Sequence, residues 1–80
     1  RHQRLNSGSA KVSVAFKSDK MINIYWGDGT VDTDVYGDCT GKNAISHTYT
    51  DNGIYYIIVA GVIEDITDFE TNGIVVWNRL

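Results

Sequence analysis

Apolar and polar side chains alternate along the first part of the chain. The segments AKVSVAF, at 10–16, and MINIYW, at 21–26, each have an apolar residue at every second position. Successive side chains of a strand point to opposite faces, so this two-residue period predicts two half-buried strands. The polar KSDK between them, at 17–20, predicts a turn. The side chains expected to face the core are Val12, Val14, Phe16, Ile22, Ile24 and Trp26.

The middle of the chain continues the alternating pattern after a GDGT turn. The segment TVDTDVY, at 30–36, predicts a third strand with Val31 and Val35 directed inward. Glycine-rich GDCTGKN, at 37–43, predicts a loop, and AISHTY, at 44–49, a short extended stretch. The side chains expected on the outer face of the third strand are Asp32, Asp34 and Tyr36.

The last third of the chain is more apolar. The segment IYYIIVA, at 54–60, is apolar on both faces and rich in β-branched and aromatic residues, which predicts a central strand and the spine of the sheet. GVIEDITDFE, at 61–70, fits either a short strand or a single turn of helix. NGIVVW, at 72–77, predicts a last strand after an Asn-Gly turn.

Short strands with a turn signal about every eight to twelve residues, and no long helical pattern, favour an all-β fold. We therefore expect an immunoglobulin-like antiparallel β-sandwich of about seven short strands. The 80 residues allow one domain and one core, which we place at 10–80 behind a flexible N-terminal segment at 1–9.

Composition and charge restrict the kinds of partner that this chain is expected to bind. The net charge is −3 and the seven basic residues are scattered, so no face could neutralise several phosphates and we expect no nucleic acid partner. No apolar run approaches the ~20 residues that cross a bilayer, so we expect no direct membrane insertion. The first residues lack the apolar stretch of a signal peptide, and the chain has no initiator Met. We expect a piece of a longer protein, with any export signal or anchor outside it.

Strand geometry disfavours the catalytic arrangements that the residue types suggest. Ser46, His47 and Asp51 supply the residue types of a catalytic triad, but neighbours on a strand project to opposite faces. Cys39 is the single cysteine, so it has no disulfide partner, and as a nucleophile it would depend on His47 as base. The carboxylates of Asp32 and Asp34 would share one face of a strand, but it is the solvent-facing side, where no apolar environment raises a carboxyl pKa. We expect no enzymatic activity.

The stretch Gly27-Asp28-Gly29 allows two interpretations. It lies between two alternating strands, where Asp-Gly is a preferred hairpin pair, and the carboxylate of Asp28 can accept hydrogen bonds from the turn. A loop of this composition can also bind phosphate or a metal ion. A phosphate loop needs a following helix and a lysine, which are missing here, so a hairpin is favoured. Calcium stays an alternative, since Asp32, Asp34 and Asp38 with nearby loop carbonyls could supply some of its oxygen ligands.

Two blocks of sequence carry a family resemblance. IYWGDGT, at 24–30, followed by SHTYTDNGIYYIIVAG, at 46–61, resembles the signature of the PKD (polycystic kidney disease) domain family. The family usually has Trp where this chain has Ile24, and often Pro where it has Asn52. The tail differs as well, and is more similar to segments that lead into leucine-rich repeats in bacterial surface proteins. The matching residues are Trp26, Gly27, Asp28, Gly29, Thr30, His47, Thr48, Tyr49, Gly53, Tyr55, Ile57 and Val59.

The resemblance implies an immunoglobulin-like sandwich found mostly in extracellular and cell-surface proteins. Such domains are noncatalytic, lie beside other domains, and act as spacers, adhesive modules or carbohydrate-associated modules. It follows that the expected location is the bacterial cell surface or exterior. Expected partners are neighbouring domains of the same polypeptide, surface glycans, or host and matrix proteins.

Structural roles are expected for the residues at the ends of the extended stretches. His47 has both a donor and an acceptor, so it can connect the GDG turn to the neighbouring strand. Gly53 can take the positive φ of a turn. Tyr55, just after it, corresponds to the tyrosine corner of immunoglobulin-like domains, whose hydroxyl returns to upstream backbone.

An outward-facing apolar strip is the candidate interaction surface. If Tyr55, Ile57 and Val59 point inward, then Ile54, Tyr56 and Ile58 point outward, which is unusual for a small domain. Either the tail segment at 62–69 covers them, or a neighbouring domain does, with Trp77 close by. The exposed aromatics that could bind glycans are Tyr25, Tyr36 and Tyr56.

Overall fold

The structure, a computed structural model, describes residues 1–73. Within that range the chain is extended nearly throughout, apart from 3-10 turns at Ser7–Ser9, Gly41–Asn43 and Ile63–Asp65. No helix in this part of the chain is long and apolar enough to span a bilayer. In chain order the strands are β1 (His2–Arg4), β2 (Lys11–Tyr25), β3 (Val31–Cys39), β4 (Ile45–Thr48), β5 (Gly53–Tyr55), β6 (Ile58–Gly61) and β7 (Thr67–Asn72).

The strands form two antiparallel sheets, which confirms the all-β sandwich expected from the sequence. β1 and β5 make the smaller sheet, and β2 pairs with β3, β4, β6 and β7 in the larger one. Ile24 and Tyr25 each pair with both β3 and β6, so these two strands lie on opposite edges of β2. Ser13 and Val14 pair with both β4 and β7 in the same way. β2 is therefore the spine of the fold.

The core consists mainly of the even-numbered side chains of β2. The strand alternation predicted from the sequence puts them on one face, and every one of the six expected core residues is at most 1% exposed. Burying a side chain of this kind stabilises the fold by about 1.5–3 kcal/mol each. The complete core cluster is Val12, Val14, Phe16, Ile22, Ile24, Trp26, Tyr49 and Ile57.

The turn predicted for KSDK is wrong, because these residues lie within the 15-residue strand β2. Ser18 is buried, and its hydroxyl donates to the carbonyl of Lys20 (2.8 Å) and accepts from the amide of Lys20 (3.1 Å). The buried hydroxyl of Ser18 thus has hydrogen-bond partners within the same strand. A register shift between Ser18 and Ile22 makes the pairing with β3 irregular here, but the chain does not reverse.

The facing predicted for β3 is also wrong at its first residues. Three residue steps from Asp32 to Val35 oppose two steps from Ile22 to Ile24, which makes a bulge. Asp34 lies in it with a φ of 58°. As a result Asp32 opposes the buried Ile24, whereas Val31 opposes Tyr25 and is 43% exposed.

The single central strand predicted for IYYIIVA is divided between the two sheets. β5 ends at Tyr55 and β6 begins at Ile58, so the chain changes sheet at Tyr56 and Ile57. The apolar run marks this crossing, in which Ile57 is 8% exposed and fills the core. It is not the spine.

The chain ends differ from the sequence-based picture in detail. The segment 1–9, expected to be flexible, contains β1 and a 3-10 turn that Asn6 and Ser9 close with a reciprocal capping box. GVIEDITDFE contains both alternatives in succession, a 3-10 turn and then β7. Asn72 ends β7, and the strand predicted up to Trp77 lies outside the described residues.

Candidate functional site

The Gly27-Asp28-Gly29 stretch is a tight connection between β2 and β3. The amide of Trp26 donates to the carbonyl of Thr30 (3.2 Å) and closes it. Gly27 and Gly29 have φ values of 86° and 91°, which other residues rarely adopt. Gly27 is also confined by packing, because a Cβ there would lie 2.5 Å from the carbonyl oxygen of Tyr56. The predicted hairpin is therefore present.

Each carboxylate oxygen of Asp28 has its own partners. Oδ1 accepts from the amide (3.1 Å) and the hydroxyl (2.5 Å) of Thr30. Oδ2 accepts from Nε2 of His47 at 2.7 Å. The contact expected of His47 thus exists, and it fixes the turn to β4. A second Asp-x-Thr turn at Asp38 and Thr40 has the same two bonds (3.2 and 2.5 Å), which makes it a natural comparison.

Hydrogen bonding favours the charged form of Asp28. Partial burial by itself raises the pKa of this carboxyl, but the bonds from Thr30 and His47 outweigh that effect and lower the pKa below the ordinary value. The side chains of His47 and Asp28 are 16% and 23% exposed. The pair is therefore a partly sheltered ion pair whenever His47 is protonated.

Aromatic rings hold His47 in place. Its ring stacks on Trp26 with centroids 4.8 Å apart and an angle of 8° between planes, and it meets the edge of Tyr49 at 4.8 Å. These contacts are of the kind aromatic pairs prefer. The imidazole is thus positioned by packing on two sides and by the carboxylate of Asp28 on a third.

Trp26 is hydrogen-bonded through both its side chain and its backbone. Nε1 donates to Oδ2 of Asp32 (2.9 Å), and the carbonyl accepts from the hydroxyl of Tyr49 (2.6 Å). Burial raises the pKa of the Tyr49 hydroxyl, so it stays protonated and able to donate. Sequence reasoning placed Asp32 on the outer face and missed this role, because the bulge in β3 has no local signal.

A column of stacked rings continues beyond His47. Tyr49 stacks on Tyr55 (3.9 Å, 12°) and on His2 (5.5 Å, 17°). The hydroxyl of Tyr55 donates to the carbonyl of Asp51 at 2.5 Å, which is the return to upstream backbone expected of a tyrosine corner. Gly53 begins β5 with a φ of 158°, close to extended backbone rather than a turn. His2 was not singled out from the sequence.

The arrangement of His47 differs from that of a catalytic triad. Its Nε2 lies 2.7 Å from Asp28 and 3.4 Å from the hydroxyl of Thr30, so the carboxylate and the hydroxyl meet the same nitrogen. A triad needs them on opposite nitrogens. Ser46 is exposed while His47 is half-buried, as alternation along β4 requires, and Thr48 is exposed as well. Cys39 is buried, and that burial, followed by the charge of Asp38, raises its thiol pKa.

The candidate calcium ligands are not assembled. Asp32 accepts from Trp26, Asp38 from Thr40, and the amide of Asp34 donates to Oδ1 of Asn23 at 3.2 Å. Within residues 1–73, no group of three or more His, Cys, Asp or Glu side chains converges so that it could bind a metal ion. The carboxylates of Asp32 and Asp38 are thus used in these bonds, and Asp34 contributes its backbone amide at the bulge.

The candidate interaction residues are solvent-exposed but lie in separate places. Ile54, Tyr56 and Ile58 are 46%, 66% and 57% exposed, as the outward strip requires, and Tyr36 is 59% exposed. Tyr36 is next to Gly37, which pairs with Ser18, whereas Ile58 pairs with Tyr25. Seven strand residues separate these two points, or about 20 Å. Trp77 lies outside the described residues.

Comparison with known proteins returned no significant match to any family model, curated protein or solved structure.

Proposed function

We propose that this chain is a noncatalytic extracellular module, similar to PKD domains, within a larger bacterial surface or secreted protein. There it serves as a spacer and as an interaction or adhesion domain. The observation that carries the proposal is a row of exposed apolar side chains across three adjacent strands, beside a hairpin whose polar groups are bonded internally.

The row consists of Val31, Tyr25 and Ile58, which we call the outer row. Tyr25 pairs with Val31 of β3 on one edge and with Ile58 of β6 on the other. Directly paired residues point to the same face, so the three side chains are neighbours. They are 43%, 44% and 57% exposed. Tyr56 lies two residues before Ile58, is 66% exposed, and its backbone packs against Gly27.

Bonding within the GDG hairpin supports a noncatalytic role. The polar side chains of this region that are best suited to acid–base chemistry are those of Asp28, His47 and Thr30. They bond to one another. Nε2 of His47 and both carboxylate oxygens of Asp28 are engaged in these bonds, which hold the hairpin against β4. The geometry supports a rigid corner that presents the outer row.

A neighbouring domain of the same polypeptide is the partner that the outer row fits best. None of its members is charged, and contiguous exposed apolar residues are typical of protein contact sites. The tail alternative is weaker, because Ile54, Tyr56 and Ile58 remain exposed beside the 3-10 turn and β7. Host or matrix proteins with an apolar surface are the adhesive counterpart of such a contact.

The test compares the isolated chain with the longer native polypeptide. The double substitution Tyr56→Ser and Ile58→Thr removes apolar area, with Tyr36→Ser as control because Tyr36 is equally exposed but distant from the row. In the isolated chain both variants should change the free energy of unfolding by less than about 0.5 kcal/mol. In the longer polypeptide only the double variant should destabilise this domain. Equal effects in both contexts contradict the proposal.

A carbohydrate-binding accessory role is the second candidate, and Tyr36 favours it. This ring stands beside an open depression of about 610 Å³ that is also lined by Ser18, Asp19, Asp38 and Thr67. An exposed aromatic ring next to hydroxyl and carboxylate groups suits a sugar. Glycan binding measured by calorimetry, and lost in Tyr36→Ser but not in the Tyr56/Ile58 variant, would select this function. A large rise in melting temperature on adding calcium would instead select a calcium-binding role.

A further inference from the structure

The ring of His2 makes contacts that only one protonation state can satisfy. Nδ1 lies 2.7 Å from the carbonyl oxygen of Gly73, and Nε2 lies 2.7 Å from the carbonyl oxygen of Ser9. A backbone carbonyl accepts hydrogen bonds and has no proton to donate. Both ring nitrogens must therefore donate, and both carry protons only in the imidazolium form.

We propose that His2 is a proton-dependent clasp that holds β1 in the fold when it is doubly protonated and releases β1 from β5 when it loses a proton. The inference is independent of the proposed function. It rests on the two carbonyl contacts and on the place of His2 in the chain.

Burial gives these contacts their effect. His2 is 4% exposed, so water cannot replace a lost bond to Ser9 or Gly73. A neutral ring would leave one nitrogen lone pair facing a carbonyl lone pair at hydrogen-bond distance. A buried acceptor left without a donor is unfavourable, and hydrogen bonds from charged donors are the stronger kind. The loss of such a bond is large compared with the few interactions that a strand of three residues can make.

Aromatic packing favours the charged ring. His2 stacks on Tyr49 at 5.5 Å and opposes Tyr55 in the β1–β5 register. A cation over an aromatic face is attracted by the ring. The titratable groups nearest His2 are these two phenols, Arg1 directly before it in the chain, and Arg4 two residues further along β1. Among residues 1–73, no carboxylate forms an ion pair with His2.

The clasp connects parts of the chain that are far apart in sequence. Ser9 is seven residues from His2, and Gly73, directly after β7, is 71 residues away. Within the described residues 1–73, β1 pairs with one strand, Gly53–Tyr55 of β5. A lost bond at His2 therefore acts on a short edge strand. Release of β1 leaves the facing edge of β5 without its strand partner. It also removes the His2 ring from its stack on Tyr49.

The direction of the pH effect follows from the proton count. The closed state has one proton more than a released state with a neutral ring, so acid favours closure and rising pH favours release. The effect is opposite in sign to that of Asp28, whose bonds are lost in acid.

The experiment follows ring protonation and strand docking in one sample of the 80-residue chain. Nitrogen-15 spectra of labelled histidine report whether each ring nitrogen has a proton, and hydrogen exchange reports protection of the amides in β1 and β5. Both are recorded from about pH 5 to pH 9, the range around ordinary imidazole titration. Loss of one His2 proton should coincide with loss of β1 protection. Protected β1 amides together with a singly protonated ring would overturn the proposal.

Two variants make the result specific to the clasp. His2→Phe keeps a ring against Tyr49 but has no donor, so β1 protection factors should fall about tenfold or more in acid and lose their pH dependence. His47→Gln changes the other histidine and should leave the pH response of β1 in place. A His2→Phe chain that keeps the same pH response contradicts the proposal.

Discussion

Asp28 and His47 are 19 residues apart in the sequence, and their side chains meet at 2.7 Å across the gap between the GDG hairpin and β4. The same carboxylate also accepts both bonds of Thr30. One aspartate therefore closes a local turn and anchors it to a distant strand. The attachment of the hairpin to β4 depends on that double role.

Removing the carboxylate of Asp28 should destabilise the fold. Asp28→Ala loses the Thr30 bonds and the bond from His47, and we expect a loss of about 1–2 kcal/mol in the free energy of unfolding, measured in urea. Asp38→Ala is the matched control, because Asp38 makes the same two bonds to Thr40 on a fully exposed surface. Its loss should be clearly smaller. Equal losses would mean that His47 adds nothing.

Acid should weaken the hairpin through the same group. Although burial raises the pKa of Asp28, its hydrogen bonds lower it below the ordinary value of 3.8. A lowered folded-state pKa gives stability that is complete above the ordinary value and is lost as pH falls through the folded-state value. The difference in unfolding free energy between the native chain and Asp28→Asn should therefore shrink on acidification from about pH 6 towards pH 2. A constant difference contradicts the prediction.

The two glycines of the hairpin should respond differently to substitution. Both have positive φ, so alanine at either position costs about 1 kcal/mol in backbone strain. Gly29→Ala meets nothing within 4 Å and should cost only that amount. Gly27→Ala would place its Cβ 2.5 Å from the carbonyl oxygen of Tyr56 and should cost about 3 kcal/mol or more. Thermal unfolding of the two variants side by side tests this order.

Sequence patterns predicted what depends on local alternation. The two-residue period identified the core face of β2 from Val12 to Ile24, with Trp26 just after the strand, and the glycine pair flanking Asp28 identified the hairpin. The apparent turn at 17–20 could not be recognised as strand, because Lys17 and Ser18 pair with residues of β3 that are about twenty positions away. Composition alone does not reveal such pairing.

Features that depend on distant contacts were beyond sequence reasoning. The bulge that turns Asp32 towards Trp26 is defined only by the register of β3 against β2. The division of IYYIIVA between sheets depends on β1 arriving to pair with β5. His2 is similar, since its partners Ser9 and Gly73 come together only in the folded chain.

The two tyrosine hydroxyls should differ in importance. Tyr49→Phe leaves the carbonyl of Trp26 without its buried donor and should cost about 1–3 kcal/mol. Tyr55→Phe loses an exposed bond to Asp51 but keeps the stack on Tyr49, so its cost should be smaller. Equilibrium unfolding of both variants checks the order. A larger loss for Tyr55→Phe would show that the corner bond dominates.

A double-mutant cycle on Asp28 and His47 tests most directly whether this pair serves the fold. The free energy of unfolding is measured for the native chain, Asp28→Asn, His47→Gln and the double variant. If the pair serves the architecture, each single variant loses stability and the coupling energy between the two sites is about 0.5–2 kcal/mol and favourable. If the pair is instead a ligand or catalytic site, the substitutions should be neutral or stabilising, as is common when functional polar groups are removed. That second result, with no coupling between the sites, would contradict the account.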